Sequence, residues 1–327
     1  VSAPALGELL DGLHVVTLPL RTRFRGIAER EIALVRGPHG WGEFSPFVEY
    51  GPAEASRWLA ATIEAAWTGW PDPVRDAVPV NATVPAVPPA EVADVLARYD
   101  GCTTAKVKVA EAGQRDADDI DRVAAVRDAM GPRGRIRVDA NGGWSLTQAH
   151  DMLAALAPFE LEYAEQPCAD VRDLARLRVG LARSGIDVPV AADESIRKAE
   201  DPLEVARLGA ADLVVVKVAP LGGVAHALEV VADCGMPAVV SSAIDSSIGL
   251  RAGVALAAAL PDLDHACGLG TGVLFGADVS ADPLLPVRGK LPVRDVVPDP
   301  DLLAVHAAPA DRLEWWRDRL DAAFAYL

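Results

Sequence analysis

"TTAKVKVA", residues 103–110, decides how this chain is read. It is a short β-branched run with strand period, and that alternation turns Lys106 and Lys108 to the same face. The chain writes lysine only five times (Lys106, Lys108, Lys198, Lys217, Lys290), against twenty-six arginines. Arginine keeps its proton at any ordinary pH, whereas a crowded or buried lysine can lose one. Two lysines on one strand face therefore point to proton chemistry.

Working outward, comparable runs recur at "VNATV" (80–84), "RIRVD" (135–139), "LEYAE" (161–165) and "VPVAAD" (188–193). They continue through "DLVVVK" (212–217), "PAVVSS" (237–242) and, most weakly, "LDHACG" (263–268). Helix-like stretches such as "DADDIDRVAAVRDAM" and "GGVAHALEVVADCG" separate them. Eight strands alternating with helices predict a (β/α)8-type barrel over residues 80–282. A doubly wound open sheet is the competing arrangement, but no Gly-rich phosphate loop follows any strand. Residues 1–79 read as an antiparallel meander followed by a helix, a small α+β domain. The tail, 283–327, is extended and Pro-rich before a final helix whose Trp315, Leu320 and Phe324 need cover.

Composition narrows the partners. A formal net charge of −16 argues against nucleic acid or an anionic membrane, both of which need a basic footprint. Cys102, Cys168, Cys234 and Cys267 are far apart, without a CxxC pair, so reduced thiols in a cytoplasmic setting are expected. There is no signal-peptide pattern at the start of the sequence and no apolar run of ~18–20 residues. The sequence leaves oligomeric state open.

The residues that end the runs carry the chemistry. Lys106 and Lys108 end the second, Asp139 the third, Glu165 the fourth, Asp193 the fifth, Lys217 the sixth, and Ser241 and Ser242 the seventh. From Lys108 onward the spacings are 31, 26, 28, 24 and 24 residues, each about one βα unit. All these side chains should share the C-terminal rim, where barrel enzymes keep their active sites. Three carboxylates on adjacent strands should converge, repel and welcome a hard cation, and all-oxygen ligation favours Mg²⁺ or Mn²⁺. Lysines flank that point on both sides. Taken singly, a strand-end acid is usually a cap or a loop salt bridge, and a strand lysine usually faces solvent. Three acids and two lysine sites in one register are harder to explain that way. Asn141 and Glu194 are expected to orient the ligands, and His226 and His265 to be core or surface residues. Ser241 and Ser242 are equally readable as helix caps or ligand contacts.

"KVK", "DANGGW", "EQP", "ADES" and "LVVVKVAPLGG" together resemble the enolase superfamily in its muconate-lactonizing subgroup, and "GWGEFSPFVEYG" (40–51) is similar to that family's capping-domain motif. The resemblance implies a modified (β/α)7β barrel closed by an α+β capping domain, and a small-molecule carboxylate as substrate. It implies Mg²⁺ on Asp139, Glu165 and Asp193, Lys108 as the base, Lys106 as its neighbouring cation and Lys217 as a cation facing the enolate. Ser241, with the backbone near Gly268, would hold a succinyl arm. The short length, the arginine-rich "LRTRFRGIAERE" (20–31) and "SSAIDSSIG" (241–249) imply Mg²⁺-dependent syn dehydration of 2-succinyl-6-hydroxy-2,4-cyclohexadiene-1-carboxylate in menaquinone biosynthesis. Alternatives within the subgroup are N-succinylamino-acid racemisation, dipeptide epimerisation and muconate cycloisomerisation. Ala243, Asp245 and Gly270 depart from the patterns SSSxESSxG and GLDT, and these departures bear on the substrate pocket.

Overall fold

The computed structural model describes residues 4–197 and 201–327; Lys198 lies outside them. The chain opens with three antiparallel strands, β1 (Leu13–Phe24), β2 (Ile27–Gly37) and β3 (Gly40–Phe44). Phe24 pairs with Ile27 across a two-residue turn in which Arg25 and Gly26 both have positive φ (49° and 78°). That geometry matches the right-handed twist of a hairpin, and it carries Phe24 and Arg25 beyond the sheet. Helix Pro52–Ile63 follows and widens into a π-turn at Glu64–Thr68.

After β4 (Ala77–Pro79) the chain builds a seven-stranded parallel sheet. Its strands are β5 (Ala82–Val84), β6 (Thr104–Lys108), β7 (Arg135–Asp139), β8 (Leu161–Glu165), β9 (Val190–Ala192), β10 (Leu213–Val216) and β11 (Ala238–Val240), arranged in sequence order. Val, Ile and Ala dominate, as a sheet covered on both faces requires. The eighth run, expected over 263–268, does not form a strand. Among the described residues only Cys267, bridging Val80, and Gly268, bridging Ser241, close the sheet. Cys267 N–H donates to Pro79 O (2.7 Å), and Gly268 N–H donates to Val240 O (2.7 Å). Glycines at 268, 270 and 272 stop that stave after two residues. The mixed α/β architecture is thus a curled (β/α)7β sheet with a separate N-terminal lobe.

The last strand, β12 (Lys290–Pro292), pairs antiparallel with β4. Helix Ala310–Phe324 then lies against the first sheet, where Arg312 and the Trp316 indole N–H both donate to Glu31. Trp316, Leu320 and Ala323 are the fully buried residues of this helix, while Trp315 and Phe324 are half-buried. The adjacent indoles compete for one inward position, and Trp316, edge-on to Phe44, takes it. No described helix is long and apolar enough to cross a membrane.

Candidate active site

The strand ladders bring the expected residues to one rim. Lys108, Asp139 and Glu165 are direct neighbours across β6, β7 and β8. Asp193, Lys217 and Ser241 each follow the last residue of their strand. Lys106 Nζ reaches both oxygens of Glu165 at 2.9 Å and Asp139 Oδ2 at 3.3 Å. Lys108 Nζ donates to Asp139 Oδ2 (2.5 Å) and Asn141 Oδ1 (2.6 Å). Lys217 Nζ donates to Asp193 Oδ2 (2.5 Å). Asn141, in the left-handed region (φ 47°), turns its backbone N–H to Asp139 Oδ1 and its amide to Glu194 Oε1. Asn141 and Glu194 therefore link two of the strand-end acids.

Burial opposes ionisation of all three acids, and their partners decide the outcome. Against its burial, Lys108 and Lys106 hold the Asp139 carboxyl well below the usual range. Asp193 is lowered to about 2, because Arg197 and Lys217 outweigh its burial. Glu165 is pushed up to about 7 by burial and by the charge of Asp139, which Lys106 only partly offsets. Lys217 lies below its ordinary value through burial, with Asp193 opposing.

Among the described residues no three acid, histidine or cysteine side chains are already spaced as a metal cage. Lys106 spans Asp139 and Glu165, and Lys217 takes an oxygen of Asp193, so the expected convergence on a single point is interrupted by ammonium groups. The donor set nevertheless fits a hard divalent cation. It is three buried carboxylates on three neighbouring strands, without sulfur or imidazole, and their mutual repulsion is registered at Glu165.

Ser242 Oγ donates to Gly268 O (2.9 Å) and lies 2.7 Å from Thr271 Oγ1, while Ser241 Oγ is 3.5 Å from Gly268 O. These groups, the three lysines, Asp139 and Asn141 line a cavity of about 40 Å³, room for a water molecule or two. Phe24 and Arg25 from the β1–β2 turn form its lid side, with Lys108 Nζ 5.4 Å from the Phe24 ring centroid. A substrate therefore enters only when this turn or the lysine side chains shift.

Several residues in and around the cavity carry no signal of their own in the sequence. Arg197 donates to Asp193 Oδ1 (2.9 Å), Glu194 Oε1 (2.6 Å) and the Tyr50 hydroxyl (3.3 Å). Gln166 accepts from Asp193 N–H (2.9 Å), fixing the backbone beneath that acid. Thr83 Oγ1 is buried in the cavity wall with no hydrogen-bond partner among the described residues. The strand-end rule could have flagged Thr83 and the "EQP" and "ADESIR" segments could have flagged the other two. Phe24 and Arg25 lie in the arginine-rich stretch 20–31, but no local pattern places them at the cavity, which they reach from the other lobe.

Comparison with known proteins agrees with this geometry. Residues 90–298 match the family Enolase C-terminal domain-like, and residues 15–66 match Enolase N-terminal domain-like. The chain is 58% identical to the o-succinylbenzoate synthase of Mycolicibacterium smegmatis, over 99% of this chain and 98% of that protein. It is 61% identical to the o-succinylbenzoate synthase of Thermobifida fusca, over 94% of each. Among solved structures it resembles a muconate lactonizing enzyme from Pseudomonas fluorescens (TM-score 0.77, 20% identity, 90% of this chain and 98% of that one). It also resembles an N-succinyl Arg/Lys racemase from Bacillus cereus (TM-score 0.72, 19% identity, 91% and 97%). At such identities these two report the fold alone.

Proposed function

This chain belongs to the enolase superfamily and, within it, to the o-succinylbenzoate synthases, and from that premise we propose that its rim of lysines and carboxylates dehydrates 2-succinyl-6-hydroxy-2,4-cyclohexadiene-1-carboxylate. The observation that carries this reading is the buried cluster in which Lys106, Lys108 and Lys217 meet Asp139, Glu165 and Asp193. Asp139, Glu165 and Asp193 would hold a Mg²⁺ or Mn²⁺ ion. A divalent cation there offsets the charge that builds on the substrate carboxylate once its α-proton leaves, the known pattern of this superfamily.

The chain's own residues do the rest. Lys108 Nζ takes the α-proton and then returns it to the departing hydroxyl on the same face, so one group serves a syn elimination as base and acid. Asn141, whose Oδ1 accepts from Lys108, holds the amine in line. Lys217 reaches the same cavity from β10 and places a cation against the opposite face of the enolate. Ser241, Ser242 and the Gly268 backbone form the wall on which the succinyl arm rests. Phe24 and Arg25 exclude water. The reaction would serve menaquinone synthesis.

The test is turnover of the cyclohexadiene, followed by its ultraviolet loss, before and after exhaustive chelation. Activity should vanish with the metal and return with Mg²⁺ or Mn²⁺. Full turnover in verified metal-free buffer would sink the metal assignment. One observation favours a second reading, racemisation of N-succinylamino acids: Lys108 and Lys217 approach one cavity from strands four apart, as proton exchange on both faces of an α-carbon requires. Dipeptides fit less well. Their free ammonium needs an anionic partner, and the Gly268–Thr271 wall offers none. Deuterium exchange at the α-carbon of each class in D₂O separates the three.

A further inference from the structure

Two barrel helices have N-termini that are completed from the N-terminal lobe. Helix Val224–Cys234 begins after Gly223, which has no side chain to cap it. Glu64 fills that role instead. Its Oε2 accepts from Val224 N–H (2.6 Å) and its Oε1 from Ala225 N–H (2.9 Å). Glu64 opens the π-turn Glu64–Thr68, a widened turn of the kind that re-aims a side chain. A Cβ at Gly223 would lie 2.8–3.0 Å from the Glu64 carboxylate atoms, so glycine is what lets the acid reach the helix.

The second helix, Ser247–Ala259, is met in the same way by Glu43 of β3. Glu43 Oε2 accepts from Ser246 N–H (3.1 Å), Ser246 Oγ (2.6 Å) and Gly249 N–H (3.0 Å). A Cβ at Gly249 would lie 2.7 Å from Glu43. Anions at helix N-termini satisfy orphan N–H groups and complement the helix dipole. Here both carboxyl groups belong to one lobe and both helices to the other; burial and the nearby Asp245 push Glu43 up to about 8, so its cap acts through hydrogen bonds rather than full charge.

The two helices follow the strands that carry Lys217 and Ser241–Ser242. Only the four-residue helix Val218–Leu221 and the Gly222–Gly223 pair separate Lys217 from the helix held by Glu64. On the lobe side, Glu43 is on the sheet whose β1–β2 turn sets Phe24 and Arg25 over the cavity. We infer that Glu64 and Glu43 are positioning residues which, by capping two barrel helices across the lobe boundary, hold the Phe24–Arg25 wall in register with Lys217 and Ser241–Ser242. This rests on the function proposed above. Lys108, Lys106 and the three acids stand on strands neither cap touches, so the caps govern substrate fit rather than proton removal.

Glu64→Gln is the direct test. The amide keeps one acceptor and turns an N–H₂ group toward the other helix N–H. In the full chain with its metal, KM for the cyclohexadiene should rise about tenfold while kcat stays within about threefold, the scale of one charge-assisted hydrogen bond. Glu64→Asp, which keeps the charge on a shorter arm, should recover part of the KM. Gly249→Ala adds a methyl that presses on both Glu43 (2.7 Å) and Asp245 Cβ (2.8 Å) at a helical position where alanine is otherwise favourable, and should give the same KM-weighted loss. A lower melting temperature with KM unchanged would reduce both caps to stability alone and overturn the inference, as would a fall in kcat at constant KM. If the wild-type chain itself does not turn over the diene, the proposed function fails. The inference then stands or falls on trypsin cleavage after Arg21, Arg23 and Arg25. Glu64→Gln should speed that cleavage about tenfold by the same free-energy scale, and an unchanged rate would sink it.

Discussion

Glu162 and Glu165 sit three residues apart on β8, both among cations, yet their environments drive them in opposite directions. At the lower end, Glu162 Oε2 accepts from Arg137 Nε (2.5 Å) and its Oε1 lies 3.0 Å from His265 Nδ1. Despite burial, His265 and Arg137 lower it to about 2. Arg137 also donates to Asn81 Oδ1 and Ala266 O. The β7–β8 register slips between Ile136 and Arg137, making Glu162 the extra residue and re-aiming it. At the rim, Glu165 has the bidentate Lys106 and is still raised to about 7 by burial and Asp139. The lower cluster is an arginine lattice that fixes the staves, with only Arg137 Nη2 left without a hydrogen-bond partner among the described residues. The rim crowds acids together and balances them with lysines, an arrangement that costs stability and suits a reacting site.

The largest effect that sharpens this contrast is Lys108→Arg. Charge survives, but the guanidinium cannot surrender a proton near pH 8, so kcat should fall by at least about 10²–10⁴-fold. The melting temperature should hardly change, because the ion pair with Asp139 persists. A variant keeping half its kcat would remove Lys108 as the base and leave the rim looking like the lower cluster.

Glu162→Gln should do the reverse. Removing one partner of a buried pair strands Arg137, and with the amide still accepting one hydrogen bond the cost is about 3 kcal/mol, the lower end for such losses. Turnover at pH 7 should be preserved in the folded fraction. Because Glu162 is depressed in the folded state, its stabilisation is complete above the unfolded value near 4.5 and is lost as pH falls towards about 2. The gap in melting temperature between wild type and Glu162→Gln should therefore narrow from pH 6 to pH 3. A constant gap would mean that packing, not charge, holds the lower cluster.

The rim was legible in the sequence and the lower cluster was not. Strand period and βα spacing place Lys108, Asp139, Glu165, Asp193 and Lys217 at one end, since each closes its apolar run. Arg137 and Glu162 lie inside their runs, and a one-residue register slip cannot be read from a single strand. The last stave was overread for a related reason: "LDHACG" has the composition of a strand, but ladder length depends on what its neighbours offer. Arg197 was missed although it sits in "ADESIR", because its value lies in reaching Tyr50 of the other lobe. Contacts between lobes, including Phe24, Arg25 and Glu64, have no periodic signature at all.

Ser242 lies where the two kinds of region meet, and it should give the smallest effect. Its hydroxyl ties the end of β11 to Gly268 O and Thr271 Oγ1, at the place where the final stave has a single bridge to Ser241. Ser242→Ala leaves Gly268 O with only the longer approach of Ser241 Oγ at 3.5 Å. Losing one net hydrogen bond costs about 1 kcal/mol. The same wall faces the proposed succinyl arm, so KM should rise by at most about tenfold on that energy scale, with kcat unchanged. Steady-state kinetics and thermal unfolding on one preparation measure both. A hundredfold fall in kcat would move Ser242 from the scaffold into the chemistry and extend the reacting rim to the seventh strand. No change in either quantity would make the Ser242 contacts incidental, leaving closure of the barrel to the backbone bridges alone.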